Sequence, residues 1–255
     1  MGFTLSGFVI GMLVGLTGVG GGSLMTPLLV IIFKINPAIA IGTDLLYAGI
    51  TKSAGILSHG KMGHIDWSVV KKLMLGSIPA SLIATYYLKE IDLTSPITLH
   101  WIEVGLGIAL IFTATAVFLQ PWIIKKVAEK KIKRARHTNM LTILLGFILG
   151  VVVTLTSVGA GALGVTALLL LYPGMKIKRI IGTDIAHAVP LTLFAGFGHY
   201  NLGNVDLMLL GSLLIGSIPG IWLGSYLSAK IDESKLRYIL IIILLLVGVE
   251  LILNK

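Results

Sequence analysis

Cysteine is absent from the 255-residue chain, which removes disulfides, thiolate nucleophiles and thiolate metal sites together. Charge is scarce as well. Asp, Glu, Lys and Arg make up 12% of residues, about half of what a soluble domain carries, so a water-facing surface is excluded. Acids are the scarcer sign, 11 against 20 Lys and Arg, for a net charge of +9. In a soluble chain that excess points to nucleic acid. Here it belongs to loops biased toward one face of a bilayer, and no nucleic-acid partner is expected. No basic residue precedes Lys34, so the first apolar stretch lacks the basic start of a signal peptide and reads as part of the working protein. GxSxG, HExxH and Walker patterns are missing from any context that supports enzymology. His59 and His64 share a Gly-rich turn with no further donors nearby, so neither a metal nor another cofactor is expected.

What the chain has is apolar length. Hydrophobic residues make up 56% of it, mean hydropathy is +0.98, and runs at 38–58, 68–89, 100–120, 180–198, 207–229 and 238–254 approach the ~20 helical residues that cross a ~30 Å hydrocarbon core. The expected fold class is an all-α polytopic membrane protein. Set against itself at an offset of 139 and then 140 residues, the chain repeats: Gly7-Phe8 with Gly146-Phe147, Gly42-Thr43-Asp44 with Gly182-Thr183-Asp184, and Gly76-Ser77-Ile78-Pro79 with Gly216-Ser217-Ile218-Pro219. Residues 1–120 form a first transmembrane repeat, 121–139 a basic cytoplasmic linker, and 140–255 a second transmembrane repeat.

Each repeat opens with about thirty apolar residues interrupted by glycine, at Thr17-Gly18-Val19-Gly20-Gly21-Gly22-Ser23 and at Thr156-Ser157-Val158-Gly159-Ala160-Gly161. An arm of fifteen residues spans only ~22 Å, so each arm stops inside the membrane. If the break is a kink, the halves have four crossings each and point the same way. If it is a re-entrant hairpin, they have three crossings each and are inverted. The basic residues favour inversion. It places sixteen of them, including the linker's Lys125, Lys126, Lys130, Lys131, Lys133, Arg134 and Arg136, on the cytoplasmic face and leaves Lys34, Lys89 and Lys255 outside; the parallel arrangement divides them eleven to eight. Two helical repeats, each a Gly-broken hairpin followed by three transmembrane helices, are expected in a multi-pass protein of the cell membrane.

Interrupted helices at matching places of inverted repeats point to a secondary transporter with its site near the midplane. Broken backbone in a membrane survives only where protein or a water-filled cavity covers it. Glycine lets a ligand approach the freed N–H groups, and helix starts favour an anion. Thr17, Gly20, Gly21, Gly22 and Ser23, with Thr156, Ser157, Gly159 and Gly161, are therefore candidate substrate-binding residues, and Thr43 and Thr183 join them from the Gly-Thr-Asp triplets. The plainer alternative is that these small residues only let helices pack closely. Asp44 and Asp184 lie several residues inside apolar spans, where a permanent charge is costly and usually functional. They are candidate proton carriers, with helix capping as the structural alternative. His187, one turn past Asp184, joins a proton path or simply hydrogen-bonds that acid. Lys52, deep in its span, meets the anion, neutralises an Asp, or snorkels to the interface.

Gly-Val-Gly-Gly-Gly-Ser at 18–23, Gly-Thr-Asp-Leu-Leu-Tyr-Ala at 42–48 with Thr51-Lys52, Gly-His-Ile-Asp-Trp at 63–67 and Gly-Asn-Val-Asp at 203–206 together resemble the sulfite exporter TauE/SafE family, also called the toluene-sulfonate uptake permease family, over nearly the whole chain. The chain differs from many members in carrying Asp44 and Asp184 where they have Ser. The resemblance implies a plasma-membrane carrier for sulfite, sulfonates or related organosulfur anions. The expected function is thus secondary transport of a small sulfur-containing anion coupled to protons, with export preferred; its partners are the anion, protons and the lipid bilayer, and a homo-oligomer is compatible with the sequence. An anion channel and, further off, an intramembrane enzyme are the alternatives.

Overall fold

The computed structural model describes residues 2–17, 23–61, 63–129, 137–228 and 233–253, and the described residues are helical almost throughout, without a strand. Ten helices follow one another: α1 (Gly2–Thr17), α2 (Met25–Ile31), α3 (Pro37–Lys61), α4 (Trp67–Lys89), α5 (Pro96–Glu129), α6 (Thr138–Thr156), α7 (Ala162–Leu171), α8 (Ile177–Asn201), α9 (Leu207–Ser228) and α10 (Glu233–Leu253). Five of these, α5, α6, α8, α9 and α10, are long and apolar enough to cross a membrane. α3 and α4 have similar length but carry Asp44 and Lys52, and Lys71 and Lys72.

Short apolar helices sit where the sequence places its breaks. Both fold back on the helix before them. Phe3, near the start of α1, stacks on Phe33 just past α2, with ring centroids 4.7 Å apart. Thr142, near the start of α6, bonds the Tyr172 hydroxyl just past α7 at 2.7 Å. In each case the chain returns to the end from which it set out.

α1 lies along α9, and α4 along α6. Glycine sets the distance. A Cβ at Gly7, Gly11 or Gly15 would strike backbone at Leu213, Ser217 or Ile221, and one at Gly216, Gly220 or Gly224 would strike Thr4, Phe8 or Met12. The contacts climb both helices in the same order, so α1 and α9 run parallel with their backbones touching, the close approach that small residues allow where lipid is as apolar as any side chain. Gly76 against Ile143, Gly146 against Leu73 and Gly150 against Ser77 give α4 and α6 the same parallel packing. α3 packs antiparallel on α8, Gly42 against His199 and Gly49 against Leu193, and α5 pairs with α10. The main core gathers Met25, Leu29, Leu106, Leu110 and Leu213 between these helices.

α5 is longer than its apolar run. The expected linker begins at Pro121, yet the helix continues through Pro121 to Glu129. At ~1.5 Å per residue its 34 residues reach ~51 Å, well past a ~30 Å core. Ile123 anchors the extension, buried in a cluster with Val69, Leu168 and Tyr172, and Lys126 lies over the Trp122 ring at 4.3 Å. These contacts offset the hydrogen bond that Pro121 removes.

Candidate substrate site

The second break is a built turn. Ser157 ends α6 in the left-handed region at φ 57, and Gly159 and Gly161 follow at φ 109 and 122, conformations open to glycine and costly for other residues. The Thr156 hydroxyl accepts from Val158 N at 3.1 Å and donates to Val152 O at 2.7 Å. It therefore serves the turn. No side chain caps the start of α7 at Gly161, so the first N–H groups of that helix have no intrahelical partner. Ser157, Gly159 and Gly161 are all buried. Of the first break, Gly20, Gly21 and Gly22 lie outside the described residues, as does the side chain of Thr17, while Ser23 is buried.

α3 and α8 run unbroken through Gly-Thr-Asp, so neither acid caps a helix. The triplets do two things. Their threonines face the loops of the other half: Thr183 Oγ1 accepts from Asp66 N at 2.9 Å, and Thr43 Oγ1 accepts from Asp206 N at 3.1 Å. Each of these loop acids in turn caps the next helix, Asp66 at Ser68 N and Val69 N, Asp206 at Met208 N and Leu209 N. Thr43 and Thr183 thus each accept a hydrogen bond from the loop before α9 or α4.

The acids themselves face inward. Asp44 is fully buried; its Oδ2 accepts from Thr26 Oγ1 at 2.6 Å, while Oδ1 has no partner among the described residues. Ser157, across in the second break, lies beside this carboxyl, and its hydroxyl has no partner within bonding geometry among the described residues. Asp184, 2% exposed, lies against α7 at Gly164, where any Cβ would overlap its Oδ1. Lys52 joins the two: Nζ donates to Ala160 O in the second break at 3.0 Å and lies within electrostatic reach of both carboxyls. One lysine, two acids and the second break therefore share a buried centre. By Coulomb's law their charges act more strongly on one another there than in water.

His187 does not bond Asp184. Its Nε2 meets Ser77 Oγ at 2.9 Å and its Nδ1 has no partner among the described residues. Tyr47, which holds in α3 the place of His187 in α8, lies beside Ser217, and its hydroxyl has no partner within bonding geometry among the described residues. Thr26 is the residue at the centre that sequence reasoning passed over. Its match is Thr166 in α7, whose buried hydroxyl, unlike that of Thr26, has no partner among the described residues, and the Thr26 to Thr166 spacing of 140 residues is the signal that marks them. A separate apolar cavity of about 810 Å³ opens between α5, α6 and α7, with Thr156, Thr166 and His199 among its lining residues. Among the described residues no group of His, Asp and Glu could hold a metal ion.

Residues 3–251 match the family model described as Sulfite exporter TauE/SafE. A probable membrane transporter protein of Bacillus subtilis, YjnA, is 40% identical over 250 residues, covering 97% of this chain and 98% of that protein. A second from the same organism, YdhB, is 25% identical over 86% of each chain, and one from Methanocaldococcus jannaschii is 28% identical over 97% of this chain and 93% of its own. No solved structure matches the chain.

Proposed function

From the premise that this multi-pass membrane protein belongs to the sulfite exporter TauE/SafE family of membrane transporters, we propose that it carries a small sulfur-containing oxyanion, such as sulfite or a sulfonate, through the centre formed by Asp44, Lys52, Asp184 and the second break. The observation that carries this reading is the Lys52 ammonium held at Ala160 O, between two buried acids. It puts a cation beside the uncapped start of α7, whose first N–H groups have no intrahelical partner.

The charges dictate the rest. With both acids ionised, Lys52 offsets one of them and the centre is left negative, so an incoming anion is repelled. A proton on one acid removes that repulsion. Asp44 is fastened by Thr26, whereas Asp184 has Lys52 as its one charged neighbour among the described residues and lies against the α7 backbone; Asp184 is therefore the proton carrier. Export is the direction we favour where the outward anion gradient exceeds the inward proton gradient, because a proton that travels with a monovalent anion leaves the cycle without net charge for the membrane potential to act on.

We read the two halves as inverted repeats whose basic linker is cytoplasmic. The returning hairpins at Phe3 with Phe33 and Thr142 with Tyr172, and the antiparallel course of α3 and α8, in which Gly42 meets His199 and Gly49 meets Leu193, support this reading, as do the reciprocal threonine bonds. Thermal stabilisation of the purified protein by sulfite, thiosulfate, sulfonates and simple carboxylates tests the substrate class, since a ligand of the native state raises apparent stability. Asp184→Asn should retain that stabilisation but lose the pH dependence of transport in proteoliposomes. Unchanged pH dependence in both Asp184→Asn and Asp44→Asn removes carboxylate coupling, and stabilisation by carboxylates alone removes the sulfur-anion reading.

A further inference from the structure

Where the linker meets the bundle, α4 and α8 start side by side around a cavity of about 470 Å³ lined by Asp66, Ser68, Lys72, Tyr172, Gly174 and Arg179, among others. Arg179 Nη2 lies 3.1 Å from Asp66 Oδ2. Asp66 is already committed twice, through Oδ1 to the start of α4 and through its backbone N–H to Thr183. Its second oxygen is the one spent on Arg179.

The opposite face shows what this joint needs. There Asp206 caps α9 and donates its N–H to Thr43 in the same manner, but the residue one turn before Thr43, in the place of Arg179, is Ile39, and Ser212 stands where Lys72 does. The joint is complete without either cation. Lys72 Nζ also donates to Asn139 Oδ1 at 2.9 Å, at the start of α6, so Arg179 is the cation that this joint leaves unaccounted for. The Arg179 and Asp66 side chains are 49% and 22% exposed, and a pair so open to water is weakly held. A guanidinium fork that fits a carboxylate fits a sulfonate or sulfite equally. Arg179 also stands one turn before Thr183 on α8, and Asp184 comes next, so an anion at Arg179 is ~7.5 Å along the helix from the central acid.

We propose that this cavity is a vestibule for a small oxyanion, in which Arg179, with Lys72, receives the ligand and Asp66 occupies its place until the ligand arrives. Naming that oxyanion as the transported substrate rests on the reading of the central site; binding in the vestibule does not. A phosphate headgroup offers the same chemistry, so the test separates the two sources.

The full-length protein is placed in nanodiscs of neutral lipid and in oriented proteoliposomes, with sulfite as probe. Arg179→Gln should raise the sulfite concentration for half-saturation from the linker side about tenfold, the loss of one charge-assisted hydrogen bond, and leave the value from the opposite side unchanged. Arg179→Lys should recover part of it. Asp66→Asn still caps α4 but frees Arg179, and should lower the linker-side value. If Asp66→Asn and Arg179→Gln move it the same way, or neither moves it, the pair is a structural strap and the proposal falls. If sulfite shows no Arg179-dependent binding in neutral lipid while added anionic lipid stabilises the parent and not Arg179→Gln, the site belongs to headgroups and the vestibule is likewise overturned. A parent that binds sulfite through Arg179 but transports none of the anions tested retires the central-site reading and leaves the vestibule standing.

Discussion

Gly164→Ala is a small change with opposing consequences that can be weighed. The φ of Gly164 is not among the positive values, so alanine suits the backbone and by helix propensity alone should stabilise α7 by ~1 kcal/mol. A Cβ at that position overlaps Asp184 Oδ1, however, and crowding of this kind in a packed interior costs ~1–3 kcal/mol. The net effect should lie between none and a loss of ~2 kcal/mol, with the carboxyl turned away from α7. A double-mutant cycle isolates the contact: in an Asp184→Ala background the obstacle is gone and Gly164→Ala should recover its ~1 kcal/mol, giving a coupling of ~1–3 kcal/mol. Thermal unfolding of the four proteins in one detergent measures the cycle, and transport against pH reports whether Asp184 still serves its role. A Gly164→Ala protein that is more stable than the parent, couples to Asp184 by less than ~0.5 kcal/mol and keeps the parent's pH profile would refute the placement of Asp184 against α7.

Two further outcomes are expected. Thr26→Val keeps the shape but removes the 2.6 Å bond to Asp44; it should destabilise the protein by ~1.5–3 kcal/mol, as for hydrogen bonds to charged groups, and a loss below the resolution of a melting curve would mean that Asp44 is held by other means. Single cysteines in place of Gly2 and His137, both exposed, should react with an impermeant thiol reagent from opposite faces of the membrane; reaction of both from one face would rule out inverted halves.

The parts of the fold written in local sequence were legible, and the parts that depend on which helix meets which were not. Glycine breaks mark where α1 and α6 end, because glycine and a missing cap are local properties. The acids at 44 and 184 stand out as charges within apolar runs, and Lys52 likewise. Thr43 and Thr183 stand out through the repeated Gly-Thr-Asp triplet, whereas their bonds from Asp206 N and Asp66 N depend on which loop packs against each helix. His187 is a similar case, since one helical turn places it near Asp184 but the neighbouring α4 supplies Ser77 as its partner. The glycines of α1 recur every four residues at 7, 11 and 15, and nothing in that spacing names α9 as the surface they meet.

That meeting bears on how the chain is assembled during synthesis. α1 emerges first and α9 last but one, so the helix whose backbone touches α9 must wait beside lipid or in the insertion machinery while about two hundred residues are made. At ~5–20 residues per second that is roughly 10–40 s. α6 finds α4 already in place and faces no such delay. The glycine face of α1 is thus exposed longest to wrong partners, and its tight match to α9 sets a late checkpoint: neither half has its full set of contacts until the chain is nearly complete.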